Sequence, residues 1–183
     1  MPPTRPTRRR LLGAAGAAVG AAALGGCGGG PAPHRGGPSP TPADAVHLLD
    51  AALVVEHTTV HGYDVAVPLL SATTATSGSA FRQHHVDHRD RLAQIISRLG
   101  GTPTPAKDTY DIGPAPADEA GALSLLTSLE EQAAKTHLST LSRLGDAGLL
   151  QALGSIMADE AQHAAVLRTV LQQDPAPSAF MTA

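Results

Sequence analysis

Asp159-Glu160-Ala161-Gln162-His163 interrupts an apolar helical stripe, between Ile156 and Leu167. A carboxylate and an imidazole three residues apart share one face of a helix, so both point where the neighbouring aliphatic side chains point, into a core. The same placement recurs upstream in His84-His85-Val86-Asp87-His88, between Phe81 and Leu92. A glutamate on a further apolar stripe precedes each pair. Glu56, between Leu53 and Val60, stands 29 residues before His85, and Glu130, between Leu126 and Ala133, stands 30 before Glu160. The chain therefore carries an internal repeat, in which a helix with one inward Glu is followed by a helix with an inward x-x-x-His pair. Seven residues after each Glu comes one more polar group on the stripe, Tyr63 in the first half and His137 in the second.

Four helical segments hold these residues, each with apolar side chains at alternating spacings of three and four. The first begins after Pro42 with Asp44 as its cap, carries Leu49, Ala52, Leu53, Val60, Tyr63 and Val67, and weakens at Pro68. The second is expected from about Ala80 and presents Phe81, Leu92, Ile95 and Leu99 before Gly100-Gly101 stops it. Asp118 can cap the third, with Leu123, Leu126, Ala133, Leu141 and Leu144 on its stripe. The fourth follows Gly145-Asp146-Ala147-Gly148 and shows Leu149, Leu153, Ile156, Leu167 and Val170. No segment alternates with period two, so the expectation is all-α. Short loops at 71–79 and 145–148 imply two antiparallel hairpins. Between them, Gly101 to Ala117 contains Pro103, Pro105, Pro114 and Pro116; its 17 residues reach about 56 Å, beyond the ~38 Å of a 25-residue helix. Two hairpins joined by a connection that can run the length of a four-helix bundle is the expected architecture.

The 183 residues include 13 Lys+Arg, 16 Asp+Glu, two Tyr, two Phe and no Trp, so neither a basic surface nor a stacking platform is available for nucleic acid. A lone cysteine, Cys27, excludes a disulfide scaffold. Residues 1–26 read as an export signal, with Arg8, Arg9 and Arg10 ahead of a short apolar run from Leu11 to Leu24. That run is shorter than the ~20 residues of a spanning helix. Thr7-Arg8-Arg9-Arg10-Leu11-Leu12 resembles a twin-arginine signal, and Leu24-Gly25-Gly26-Cys27 resembles the lipobox of bacterial lipoproteins, which implies a lipid on Cys27 and cleavage before it. An ordinary secreted protein or an uncleaved anchor are the alternatives. Loss of residues 1–26 removes four Arg and no acid, leaving nine basic against 16 acidic residues, a net of −7. Such a domain is held at an anionic membrane by lipid and not by charge. Residues 27–42 form a Gly/Pro tether, and residues 43–183 the folded domain.

Glu56, His85, His88, Glu130, Glu160 and His163 thus converge on one interior. Buried carboxylates need a cation, a proton or hydrogen-bond donors. Three carboxylates and three imidazoles have a metal ion as their common partner, or else they pair with one another. Other polar groups carry weaker signals: Glu131 stands four residues before Lys135 and suits a surface pair, while His57, His61 and Asp64 cluster on another face of the first helix. Asp87 and Asp159 adjoin the histidine pairs and suit the orienting of an imidazole.

These motifs resemble the ferritin-like superfamily, most of all the small ferritin-like domains of exported bacterial proteins and lipoproteins. The likeness covers about residues 43–183. It rests on Val55-Glu56-His57 with Tyr63, on His84-His85-Val86-Asp87-His88 with Leu92 and Leu99-Gly100-Gly101-Thr102-Pro103, on Leu129-Glu130, on Asp159-Glu160-Ala161-Gln162-His163, and on Ala179-Phe180 after the last helix. The resemblance implies a di-metal site built from a Glu on each of two helices and a Glu-x-x-His on each of the other two. His85 departs from it, standing where the family pattern has a glutamate that bridges the metals. The expectation is an exported, lipid-anchored protein on the outer face of the cytoplasmic membrane, binding iron or manganese, with zinc as a further candidate, for redox chemistry with dioxygen or peroxide. The alternative is a non-catalytic binding or structural lipoprotein with a degenerate metal site.

Overall fold

The structure, a computed structural model, describes residues 40–179. The arginine-led signal, Cys27 with its lipobox, most of the tether and Phe180 lie outside the described residues.

Four helices account for the fold: α1 (Pro42–Ala66), α2 (Ala72–Arg98), α3 (Glu119–Leu141) and α4 (Ala147–Val170). Among the described residues there is no strand, and no helix is long and apolar enough to cross a membrane. Helix α1 is opened by Thr41, not by Asp44. Thr41 Oγ1 accepts from the Asp44 backbone N–H at 3.2 Å, and the Asp44 carboxylate accepts from the Thr41 N–H at 3.0 Å, a reciprocal capping box with Pro42 at the first helical position. Asp118 and Asp146 cap α3 and α4 by accepting from the N–H groups of Gly121 and Leu149. Gly100, at φ +83°, closes α2 in the left-handed conformation that a residue with a Cβ adopts only with strain.

Helix α2 begins eight residues before the expected Ala80. Ala72-Thr-Thr-Ala-Thr-Ser-Gly-Ser79 has weak helix propensity, which is why it reads as a loop. Tertiary packing overrides it. The turn Val67–Leu69 folds back so that Leu70 and Val67 side chains lie 3.0 and 3.3 Å from where a Cβ on Gly78 would stand. Glycine is the residue that lets this turn close against α2.

The long connection runs alongside α1. Gly101 abuts Val46 near the start of α1, Thr104 donates through its N–H and hydroxyl to Asp50 (2.8 and 2.5 Å), and Tyr110 stacks against His57 and lies tilted against His61. Ser71, beyond the end of α1, then meets the first turn of α3 by donating its N–H to Glu119 at 3.0 Å. The crossover therefore spans the bundle from one end to the other, and α3 runs antiparallel to α1. Their close approach uses Gly62, where a Cβ would collide with Leu129 Cδ1.

The apolar core is divided. Ala45, Leu48, Leu49, Ala52, Leu53, Leu92, Ile95, Ile96, Leu144, Leu153 and Ile156 pack at one end, and Tyr63, Ala66, Ala122, Leu123, Leu126 and Leu167 at the other. All but one of the aliphatic stripe positions proposed from sequence are buried or half-buried; Val170, in the last turn, is 46% exposed. Between the two apolar clusters lies a polar layer.

Candidate metal centre

Glu56, His85, Glu130 and Glu160 are fully buried, His163 is 2% exposed and His88 is half-buried. One residue or pair comes from each helix, and all six converge. His85 lies at the centre. Its Nδ1 is 2.9 Å from Glu56 Oε2 and its Nε2 is 3.0 Å from Glu130 Oε1. An ionised carboxylate only accepts hydrogen bonds, so both ring nitrogens carry protons and His85 is an imidazolium that crosslinks α1 to α3 through α2. His88 Nδ1 donates to Glu160 Oε1 at 3.0 Å. His163 Nδ1 lies 3.4 Å from Glu130 and 3.6 Å from Glu160.

Two further residues complete the layer. His137 Nε2 donates to Glu56 Oε1 at 2.8 Å, and the Tyr63 hydroxyl makes a short hydrogen bond to Glu130. Both are fully buried. Burial opposes ionisation of Glu56, but the bonds from His137 and His85 outweigh it and hold its pKa down at about 2. Glu130 is likewise held low against its burial by His163 and His85. Glu160 goes the other way: burial raises it, and the adjacent Glu130 adds to that in spite of His163 and His88. Burial disfavours charge on His163, yet Glu130 and Glu160 push its pKa up to about 9. His85 and His88 are raised in the same manner, against their burial, by the carboxylates they touch. For Tyr63, burial and the Glu130 charge push the phenol well above its usual range, so it stays a donor.

The layer is incompletely satisfied. Glu130 Oε2, Glu160 Oε2, His163 Nδ1 and His137 Nδ1 are buried without a hydrogen-bond partner. Three of these four atoms belong to residues of a single set, His85, Glu130, Glu160 and His163, in which one donor atom from each residue lies within 4.8 Å of the others. A second set, Glu56, His85, His88 and Glu160, has the same compactness, but both Glu56 oxygens are occupied by His137 and His85. The donor set therefore fits one cation on the Glu130–Glu160–His163 side, where buried donor atoms lack partners and the His163 ring would give up its Nδ1 proton, better than it fits two.

The weaker sequence signals resolve differently. Glu131 pairs with Arg168 of α4 at 2.5 Å and not with Lys135. Asp64 pairs with Arg82, and the His57 ring bonds the Thr104 carbonyl, so His57, His61 and Asp64 serve the crossover and a surface pair. Asp87 accepts from Gln83. Asp159 Oδ2 lies 3.4 Å from His88 Nε2. His84, one residue off the apolar stripe, places its Nδ1 2.9 Å from His163 Nε2. Aligning the two halves would have found it, because His84 precedes His85 as Asp159 precedes Glu160.

Residues 70–173 match the family model of the ferritin-like domain. A search of curated proteins returns no match. Among solved structures the chain is similar to a conserved hypothetical protein of Mycobacterium tuberculosis, with 23% identity over 76% of this chain and 99% of that one at a TM-score of 0.69. It is also similar to a ferritin-like diiron-carboxylate protein of Bacillus anthracis (21% identity, 71% and 96% covered, TM-score 0.62). The bacterioferritin of Rhodobacter capsulatus, described as having a metal-free dinuclear site and haem iron, matches at 24% identity over 73% of this chain and 86% of that one, with a TM-score of 0.63. At these identities the likeness establishes the fold. With more than half of its length matched by the family model, the chain belongs to the ferritin-like domain family.

Proposed function

We propose that the chain is an exported, lipid-anchored metal-binding protein whose buried layer holds iron or manganese for redox chemistry with dioxygen or peroxide. The observation that carries the reading is the buried set His85, Glu130, Glu160 and His163, in which one donor atom from each residue lies within 4.8 Å of the others, while Glu130 Oε2, Glu160 Oε2 and His163 Nδ1 have no hydrogen-bond partner. An unsatisfied buried polar atom costs about 1–3 kcal/mol, and three together call for a shared cation. Glu130, Glu160 and His163 would hold it, with His85 joining once its Nε2 proton leaves. Two carboxylates with one or two imidazoles suit iron, manganese or zinc better than magnesium or calcium. Bound iron or manganese would supply the change of oxidation state. Around it, Tyr63 fixes the Glu130 carboxylate, His88 orients Glu160, and the apolar clusters on either side limit water.

Export and lipid anchoring through Cys27 rest on the arginine-led signal and the Leu-Gly-Gly-Cys motif. The lipid would place the domain on the outer face of the cytoplasmic membrane.

Calorimetric unfolding of metal-stripped protein, with and without Fe(II), Mn(II) or Zn(II), tests the metal reading. A ligand bound only by the folded state raises stability by RT ln(1 + [L]/Kd), about 2.7 kcal/mol at a hundredfold excess over Kd. Glu160→Ala should abolish that rise and any peroxide consumption, while Glu131→Ala, whose side chain pairs with Arg168, should retain both. Indifference of the wild type to all three metals sinks the reading. One observation favours a second reading, a non-catalytic lipoprotein with a degenerate site: His85, His137 and His88 already bond Glu56, Glu130 and Glu160. On that reading Glu160→Ala loses stability to the same degree with or without metal.

A further inference from the structure

The His163 ring has two faces with different surroundings. Its Nδ1 turns towards Glu130 and Glu160 in the core, and its Nε2 meets His84 Nδ1 at 2.9 Å near the surface. Asp159 Oδ2 lies 3.7 Å from the same His84 nitrogen. We propose that His84, Asp159 and the outer face of His163 form a second, solvent-side cation site, separate from the buried cluster, for a zinc-like transition metal ion.

The spacing supports this. One donor atom from each of the three residues lies within 4.8 Å of the others. Ligands about 2.0–2.2 Å from a common ion stand roughly 3.0–3.6 Å apart, close to the 2.9 and 3.7 Å found here. Access is open, since the His84 and Asp159 side chains are 45% and 37% exposed. Orientation is fixed from both sides. Phe81 stacks on the His163 ring at 4.1 Å, and Asp159 is steadied by His88 Nε2 at 3.4 Å. Two imidazoles and one carboxylate select zinc, cobalt, nickel or copper over magnesium or calcium, and water completes the coordination. A hydrogen bond between His84 and His163 accounts for the two nitrogens; a cation accounts for the carboxylate beside them as well. Occupancy needs neither Glu56 nor Glu130, and the site shares only His163 with the buried cluster, through the other ring nitrogen.

Zinc titration of the metal-stripped protein by isothermal calorimetry tests it. His84→Ala and Asp159→Asn should each remove one bound equivalent or weaken it at least tenfold, and Glu130→Gln should keep that equivalent. His84→Gln, whose amide can still hydrogen-bond His163, should behave as His84→Ala. Wild-type zinc binding in both His84→Ala and Asp159→Asn overturns the proposal, as does full rescue by His84→Gln, which would reduce His84 to a hydrogen-bonding role. Loss of every equivalent in Glu130→Gln also overturns it, because only the buried cluster would then bind. Retention of a single equivalent in Glu130→Gln and in wild type alike, lost in His84→Ala, supports the outer site while failing the buried one.

Discussion

Glu56 on α1 accepts a 2.8 Å hydrogen bond from His137 on the antiparallel α3, seven residues along from Glu130. Glu130 in return accepts from Tyr63, seven residues along α1 from Glu56. The two halves of the repeat thus satisfy each other's glutamate. In each half, the polar residue one heptad after the Glu serves the opposite half.

Removing either donor leaves a buried carboxylate short of a partner. His137→Leu and Tyr63→Phe are each expected to lower stability by about 1–3 kcal/mol, read from urea unfolding midpoints at unchanged slope. Arg82→Ala, which breaks an exposed pair with Asp64, should change it by less than ~1 kcal/mol.

His85→Glu replaces the crosslinking imidazolium by the carboxylate that the family pattern carries. Four carboxylates then crowd the layer, so the metal-free variant should unfold at lower temperature than the wild type. Bound metal per chain should increase by one ion, measured by elemental analysis after iron or manganese loading and desalting. An unchanged ratio would count against His85 as the residue that closes the second position.

The metal-free protein should lose stability at both ends of the pH range. Glu56, held at about 2 against a reference of 4.5 despite its burial, contributes stability that is present above pH 4.5 and lost as pH falls towards 2. His163, pushed up to about 9 from 6.5, contributes stability that is present below pH 6.5 and lost as pH rises through 9. Metal needs the deprotonated ring, so the metal-induced rise in Tm should grow over that same upper window. Melting curves from pH 3 to 9.5, in chelator and in manganese, check both signs.

Cys27→Ser should release the domain from the membrane fraction, because a lipid on Cys27 is the only membrane attachment the sequence proposes. Fractionation of cells expressing wild type and variant, with mass measurement of the wild-type N-terminus, decides it. Membrane association that survives the substitution, together with a wild-type mass lacking lipid, removes the lipoprotein assignment.

Helical periodicity alone assigned Glu56, His85, His88, Glu130, Glu160 and His163 to the interior, and the prolines and length of the crossover implied the ferritin-like connectivity. Both are legible because the helix repeat of 3.6 residues decides which side chains share a face, whatever lies opposite. Partners are another matter. That His137 bonds Glu56, that His85 bridges Glu56 and Glu130, that Glu131 turns to Arg168, and that residues 72–79 are helical all depend on how the helices rotate and slide against one another. Close contacts such as Gly62 against Leu129 and Gly78 against Leu70 set that register. A hydrogen bond tolerates only a few tenths of an ångström, so the register, formed by side chains far apart in the chain, decides which buried atoms are paired and which are left to a metal.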